Sequence, residues 1–215
     1  MGLKTTLFKA SLSQIFVFLM FLAFANTASA NPKILVWGDS LSAAYGIPKE
    51  KGWVNLMRQK LGSEFEITNG SISGETTKGG LTRLPNALKK VEPHYIILEL
   101  GANDGLRGLP PSITKNNLSK MIEQARKSNA KVILLGMKIP PNYGEAYANK
   151  FENIFTELAE KYKLPFVPFL LESIIQDLKF LQEDELHPTA EAQPLILEKV
   201  LPVIRLALLE EVQSK

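Results

Sequence analysis

Hydrophobic and polar residues follow one another along residues 31–215 in two rhythms. Short, nearly unbroken apolar runs stand at Ile34-Leu35-Val36-Trp37, Phe65-Glu66-Ile67, Tyr95-Ile96-Ile97-Leu98, Val132-Ile133-Leu134-Leu135 and Phe166-Val167. Between them, apolar residues recur at helical spacing. Leu81, Leu84, Leu88 and Val91 make one stripe, Leu118, Met121, Ile122 and Ala125 a second, and Tyr147, Phe151, Ile154, Leu158 and Tyr162 a third. A last helix is expected over roughly 189 to 210, with Leu195, Ile196, Val200 and Val203 turned inward. Strands that are apolar on both faces, alternating with amphipathic helices, predict a parallel sheet covered on both sides. The expected fold class is therefore α/β, a three-layer α/β/α sandwich of the flavodoxin-like kind around a five-stranded parallel sheet. Residues 31–215 show no repeat, low-complexity stretch or internal linker, and are expected to form a single domain.

The first thirty residues follow another pattern. Lys4 and Lys9 open the chain, Ile15 to Ala25 is apolar throughout, and Ala28-Ser29-Ala30 supplies the small residues that a signal peptidase reads. The apolar run is shorter than the roughly 20 residues of a membrane-spanning helix. Residues 1–30 thus read as a secretory signal peptide, and the mature chain, starting at Asn31, as periplasmic or secreted without a stable membrane span. No cysteine follows the run, which removes a lipid-anchored form.

Composition then narrows the chemistry. The formal charge is +3, and both leader charges are basic, so the mature balance lies near neutrality. Such a balance gives no reason to expect nucleic acid as partner, and a monomer is the default expectation. With no cysteine, thiol nucleophiles and Cys-ligated metal sites are excluded, and with only His94 and His187 a His-rich metal site is not expected. Neither metal nor cofactor is expected, and the expected partner is a small-molecule substrate.

In an open parallel sheet, ligands bind beyond the carboxyl ends of the strands, so the segments that follow the apolar runs are where chemistry is expected. The first is Gly38-Asp39-Ser40-Leu41-Ser42. A serine there can present its hydroxyl to a cleft, although Ser after Gly-Asp is equally an ordinary turn or helix cap. The second, Asn69-Gly70-Ser71-Ile72-Ser73-Gly74-Glu75-Thr76, has glycines that let backbone N–H groups approach a ligand, or that simply loosen a polar loop. The third, Gly101-Ala102-Asn103-Asp104-Gly105, offers an Asn side chain to a developing oxyanion or to a turn. Near the end stands Asp184-Glu185-Leu186-His187-Pro188. A serine needs an adjacent base, and that base a third group to fix its tautomer; an Asp three residues before a His can fill both needs, or can begin a helix. His94 precedes a strand, at the opposite edge of the sheet, and reads as structural. Asn69-Gly70-Ser71 and Asn117-Leu118-Ser119 match the glycosylation pattern and are assigned no function.

These four segments, in this order, resemble the SGNH or GDSL hydrolase family. The fuller stretches Ser71 to Thr76, Asn103 to Gly108 and Pro140-Pro141-Asn142-Tyr143-Gly144 are similar to its exported thioesterase, lysophospholipase and arylesterase branch. Ala44 and Ala102 stand where that family often has glycine. The resemblance implies Ser40 as nucleophile, His187 as general base and acid, and Asp184 as the group that orients His187. It further implies an oxyanion hole made by the Ser40 and Gly74 N–H groups and the Asn103 amide. A mobile loop after Asn103, with freedom at Gly105 and Gly108, is also implied. Leu106, Leu109, Pro110, Ile139, Pro140 and Tyr143 lie in strand-end loops and are candidates for an apolar acyl groove. The activity so implied is hydrolysis of carboxylic esters and thioesters, including aryl esters and lysophospholipids, through an acyl-enzyme. Two competing readings are a carbohydrate O-deacetylase of the same family and a non-catalytic binding module on the same scaffold.

Overall fold

The structure, a computed structural model, describes residues 31–209; the leader assigned to residues 1–30 lies outside them. Five parallel strands run β1 Lys33–Gly38, β2 Glu66–Asn69, β3 Tyr95–Glu99, β4 Lys131–Leu135 and β5 Phe166–Val167. They are ordered β2-β1-β3-β4-β5, and every pair is parallel. All five expected strands are present. β2 extends two residues further than its apolar run, because Val36 pairs with Asn69 in register.

The helices are α1 Ser40–Ala43, α2 Trp53–Leu61, α3 Thr77–Val91, α4 Ala102–Leu106, α5 Pro111–Lys127, α6 Glu145–Tyr162 and α7 Gln193–Leu209. One face of the sheet is covered by α3, α5 and α6, with α5 in contact with both of the others, the other by α2 packed on α7. This is the three-layer sandwich that the apolar rhythm predicts. The buried strand residues of β1, β3 and β4, together with Trp53, Phe151 and Phe155, form a continuous core. Short helices α1 and α4 stand where the sequence reading gives turns, and two longer helices also depart from it. Helix α2 escaped the pattern because its buried residues, Trp53, Val54 and Met57, make only one helical repeat between Gly52 and Gly62. The last helix begins at Gln193 rather than 189: the Ala192 N–H bonds the Thr189 carbonyl in a turn that precedes it, and Pro194 stands in the helix's first turn, where its missing N–H costs no intrahelical bond.

The strand order reverses direction between β1 and β3. Crossovers leave β1 toward β2 on one side and β3 toward β4 on the other, so a crevice opens beyond the carboxyl ends of these two strands. That crevice is polar beneath an apolar sheet. Asp39, Ser42, Thr77, Glu99 and Asp104 are all buried within reach of it. Glu99, the last residue of β3, accepts the Ser42 hydroxyl at 2.6 Å and the Asp39 N–H at 3.3 Å through the same oxygen. Its second oxygen is buried without a partner. Burial, reinforced by the neighbouring Asp39 charge, holds the Glu99 carboxyl well above its ordinary range.

A carboxyl whose pKa is raised by folding favours the folded state most at low pH, and that contribution is lost as pH rises through the folded-state value. Asp39, pushed up to about 7 chiefly by burial, acts in the same direction. The melting temperature should therefore fall between pH 5 and pH 8. In Glu99→Gln an amide oxygen can keep both hydrogen bonds, the NH2 takes the place of the unpartnered oxygen, and the group no longer titrates. The variant should therefore lose less of its melting temperature than the wild type as pH rises from 5 to 8. Scanning calorimetry at the two pH values checks this; equal pH slopes for both proteins would refute it.

Candidate active site

Ser40 is the first residue of α1, directly beyond β1. Asp39 caps the turn: its Oδ1 accepts the Leu41 N–H at 3.1 Å, which fixes the backbone that carries the serine. The turn closes at Ala44 in the left-handed region, φ 59°. That conformation explains why glycine is favoured there, and the alanine methyl is directed at Gly52 rather than at Ser40.

His187 and Asp184 arrive from a hairpin-like loop just before α7. Asp184 Oδ1 accepts the N–H groups of Leu186 at 3.0 Å and His187 at 2.9 Å, so the loop is folded around the carboxylate. Its Oδ2 lies 2.6 Å from His187 Nδ1, and His187 Nε2 lies 2.9 Å from Ser40 Oγ. Burial acts to raise the Asp184 carboxyl, but the three hydrogen bonds from His187 and Leu186 outweigh it and hold it at about 2. The carboxylate thus stays ionised at any working pH and favours the tautomer that leaves Nε2 free to take the serine proton. The chain of Ser40, His187 and Asp184 can deprotonate a hydroxyl nucleophile.

The three donors expected from the sequence are the Ser40 and Gly74 N–H groups and the Asn103 amide. Among the described residues, neither the Ser40 nor the Gly74 N–H donates to a protein acceptor. Gly74 has φ +77°, which glycine adopts without strain. Its loop is tightly fastened. Ile72 N–H bonds the Gly38 carbonyl at 3.1 Å, and Arg107 donates to the Gly74 carbonyl at 3.2 Å. Arg83 stacks on the Trp37 ring while bonding the Glu75 carboxylate and the Gly70 carbonyl. The Asn103 side-chain nitrogen donates to Asp39 Oδ2 at 3.1 Å and to the Glu75 carbonyl at 3.0 Å. It is aimed by these bonds, and a bond to a ligand must be shared with one of them. Asp104 completes the floor by accepting both the N–H and the hydroxyl of Thr77 at the start of α3.

An apolar cavity of about 460 Å³ opens between Ser40 and His187. Leu106, Ile139 and Pro140, expected from the sequence, line it, and so does Ala102. Leu109, Pro110 and Tyr143 stand outside its walls, unlike the expectation. Tyr143 instead donates its hydroxyl to the Leu106 carbonyl at 3.0 Å, Tyr147 likewise braces Leu109 at 2.7 Å, and Pro110 is exposed as the N-cap of α5. Leu41, Met137, Phe169, Leu171, Ile175 and Leu186 take their place. Four of these lie in the segments after β4 and β5, and the strand-end rule applied there would have found them. Gly105 is required for packing: a Cβ there would lie 2.6 Å from Ile139 and 2.9 Å from the Phe151 ring. His94 is at the other end of the sheet, where its Nδ1 accepts the Lys33 N–H at 3.0 Å. The amide of Asn69 is engaged with the Ser42 carbonyl, and that of Asn117 with Thr77.

The model of the GDSL-like lipase/acylhydrolase family matches residues 36–194. The chain is 45% identical over 184 residues to an arylesterase of Vibrio mimicus, covering 84% of this chain and 92% of that protein. It is 38% identical over 183 residues to thioesterase 1/protease 1/lysophospholipase L1 of Escherichia coli strain K12, covering 85% and 87%. Among solved structures, the psychrotrophic esterase EstA of Pseudoalteromonas sp., inhibited by monoethylphosphonate, superposes with a TM-score of 0.78 at 40% identity, over 82% of this chain and 98% of that one. With a family match across most of residues 31–215 and relatives aligned over nearly their full length, the chain belongs to the GDSL-like lipase/acylhydrolase family.

Proposed function

We propose that this chain is an exported serine hydrolase that cleaves carboxylic esters and thioesters of single-chain acyl groups through an acyl-enzyme on Ser40. The observation that carries the reading is the hydrogen-bonded series Ser40–His187–Asp184 opening onto an apolar cavity. His187 Nε2 takes the Ser40 proton as Oγ attacks the acyl carbonyl. The oxygen that becomes negative is received by the Ser40 and Gly74 N–H groups and by Asn103, whose amide turns one hydrogen from Glu75 toward it. The same His187 proton passes to the departing alcohol or thiol as the carbon–oxygen or carbon–sulfur bond breaks. A water molecule, deprotonated in turn by His187, then attacks the acyl-enzyme, and the acid leaves as Ser40 regains its proton. These steps use no metal or cofactor.

Aryl esters, acyl thioesters and lysophospholipids are the proposed substrates, supported by the names of the arylesterase and thioesterase relatives. An acetyl group alone would leave most of the 460 Å³ cavity unfilled, which disfavours the O-deacetylase reading. The binding-module reading is disfavoured because every group that the chemistry needs is present and in hydrogen-bonding order. The proposal includes removal of residues 1–30 as a signal peptide, leaving a single hydrolase domain that acts as a monomer in the periplasm or outside the cell. Among the described residues, no helix is long and apolar enough to cross a membrane.

Two outcomes are expected. A fluorophosphonate probe should label the mature protein stoichiometrically at Ser40, as read by peptide mass spectrometry. Ser40→Ala should lose both the label and at least ~1000-fold of p-nitrophenyl butyrate hydrolysis. Label on another residue, or activity retained in the variant, would overturn the nucleophile assignment. Ile175, 41% exposed at the cavity wall, tests the groove without disturbing the core. Ile175→Asp should leave acetate ester hydrolysis within about twofold. It should lower kcat/KM for the decanoate ester about tenfold, the equivalent of losing roughly two buried methylenes. An equal effect on both esters would mean that the acyl chain lies elsewhere.

A further inference from the structure

The Ser40–His187 hydrogen bond joins residues 147 positions apart, and neither residue is on a regular element shared with the other. Ser40 is fixed by the sheet. The loop that carries His187 is fastened chiefly to itself. Leu181 and Pro188 form an antiparallel bridge, the Gln182 N–H bonds the His187 carbonyl at 2.7 Å, the Thr189 N–H bonds the Phe180 carbonyl at 2.8 Å, and the Glu185 N–H turns back onto Gln182 at 2.9 Å. These bonds keep Asp184 and His187 in register with each other, but none sets where the hairpin stands relative to Ser40.

Gln182 makes that connection. Its side-chain nitrogen donates one hydrogen to the Pro188 carbonyl at 3.0 Å, within the hairpin, and the other to the Tyr45 carbonyl at 2.8 Å, across to the segment that follows α1. One planar amide therefore spans the gap between the histidine loop and the serine loop. The opposing backbone is shaped to receive it: a Cβ at Gly46 would lie 2.1 Å from Gln182 Oε1, and Gly46 has φ +73°. The ring of Tyr45, 4.4 Å from that of His187, is brought against the imidazole by the same attachment. A second glutamine, Gln193, ties the exit of the loop: it accepts the Trp53 N–H at 2.9 Å and donates to the Thr189 carbonyl at 3.3 Å. Gln193 is buried at the start of α7 and joins two helices of the core, whereas Gln182 is half-buried beside the reacting groups.

We infer that Gln182 is a positioning residue for the hydrolysis, its carboxamide setting the separation between the Asp184–His187 hairpin and Ser40. The inference rests on the serine-hydrolase reading above. Misplacement of a reacting group by about 1 Å can cost roughly 100-fold in rate. Removing the brace should therefore affect proton transfer more than acyl binding, because the cavity walls belong mainly to other loops.

The test uses the mature protein with Gln182→Ala and the isosteric Gln182→Glu, which keeps the shape of the side chain but donates no hydrogen to either carbonyl. Both should lower kcat for p-nitrophenyl butyrate 10- to 100-fold, with KM within about threefold of wild type. The downfield proton resonance of His187 Nδ1–H, bonded to Asp184, should persist in both variants and show that the hairpin is still folded. Wild-type kcat in Gln182→Glu would overturn the role of the hydrogen bonds. Disappearance of the resonance together with a collapse in melting temperature would also overturn it, reducing Gln182 to a loop-folding residue. The underlying reading is judged separately by probe labelling of Ser40. A wild-type protein that is not labelled there sinks the hydrolase mechanism, whereas labelling with an unimpaired Gln182→Ala sinks only the positioning role.

Discussion

A parallel sheet buries both faces only if each strand returns through a helix, and that constraint delivers the carboxyl end of every strand to the same edge of the molecule. Everything else in the site depends on it. Ser40 follows β1, Gly74 lies in the loop after β2, and Asn103 stands in the first turn after β3. The apolar walls at Met137, Ile139, Phe169 and Leu171 follow β4 and β5. Because the connections diverge between β1 and β3, the crevice opens where Ser40 and Asn103 are neighbours.

Below the crevice, the fold carries a cost that the reacting groups exploit. Asp39 and Glu99 are buried side by side at the ends of adjacent central strands, and burial raises both carboxyls. Their hydrogen bonds are divided among the turns that build the site. Asp39 holds the Leu41 N–H and the Asn103 amide, while Glu99 holds Ser42 and the Asp39 backbone. Serine turn and asparagine turn are thereby locked to each other through buried carboxyl groups. The Gly74 loop is held from outside by Arg83 and Arg107 in the same manner. Groups held in place before substrate arrives need little reorganisation in the transition state.

The histidine is mounted differently. Its loop is the one part of the site that does not descend from a strand end by a short turn, and it closes on Asp184 rather than on the sheet. Such a loop keeps the imidazole and carboxylate in register cheaply. Its placement against Ser40 then falls to a few long-range contacts: Gln182 to Tyr45, the Tyr45 ring to His187, and Gln193 to Trp53.

Much of this was legible in the amino-acid sequence, and the reason is local. Apolar runs and helical stripes depend on residues a few positions apart, so the five strands and the stripes of α3, α5 and α6 could be read directly. The Asp184–His187 pair could be read too, because three residues in a turn suffice to join them. Helix α2 was missed because its buried face is too short to show a period. The groove was only half found. Tyr143 and Leu109 lie in the expected loops, yet their roles are decided by hydrogen bonds across more than thirty residues, to Leu106 and from Tyr147. The same holds for Asp39 beside Glu99 and for Gln182 against Tyr45, pairs 60 and 137 positions apart. The sequence by itself determined which groups are present, on which strand ends they stand, and which chemistry they can perform. Only the tertiary structure decided which carboxylates are buried together, which side chains wall the cavity and what holds His187 at Ser40, because those depend on contacts between segments that no local periodicity records.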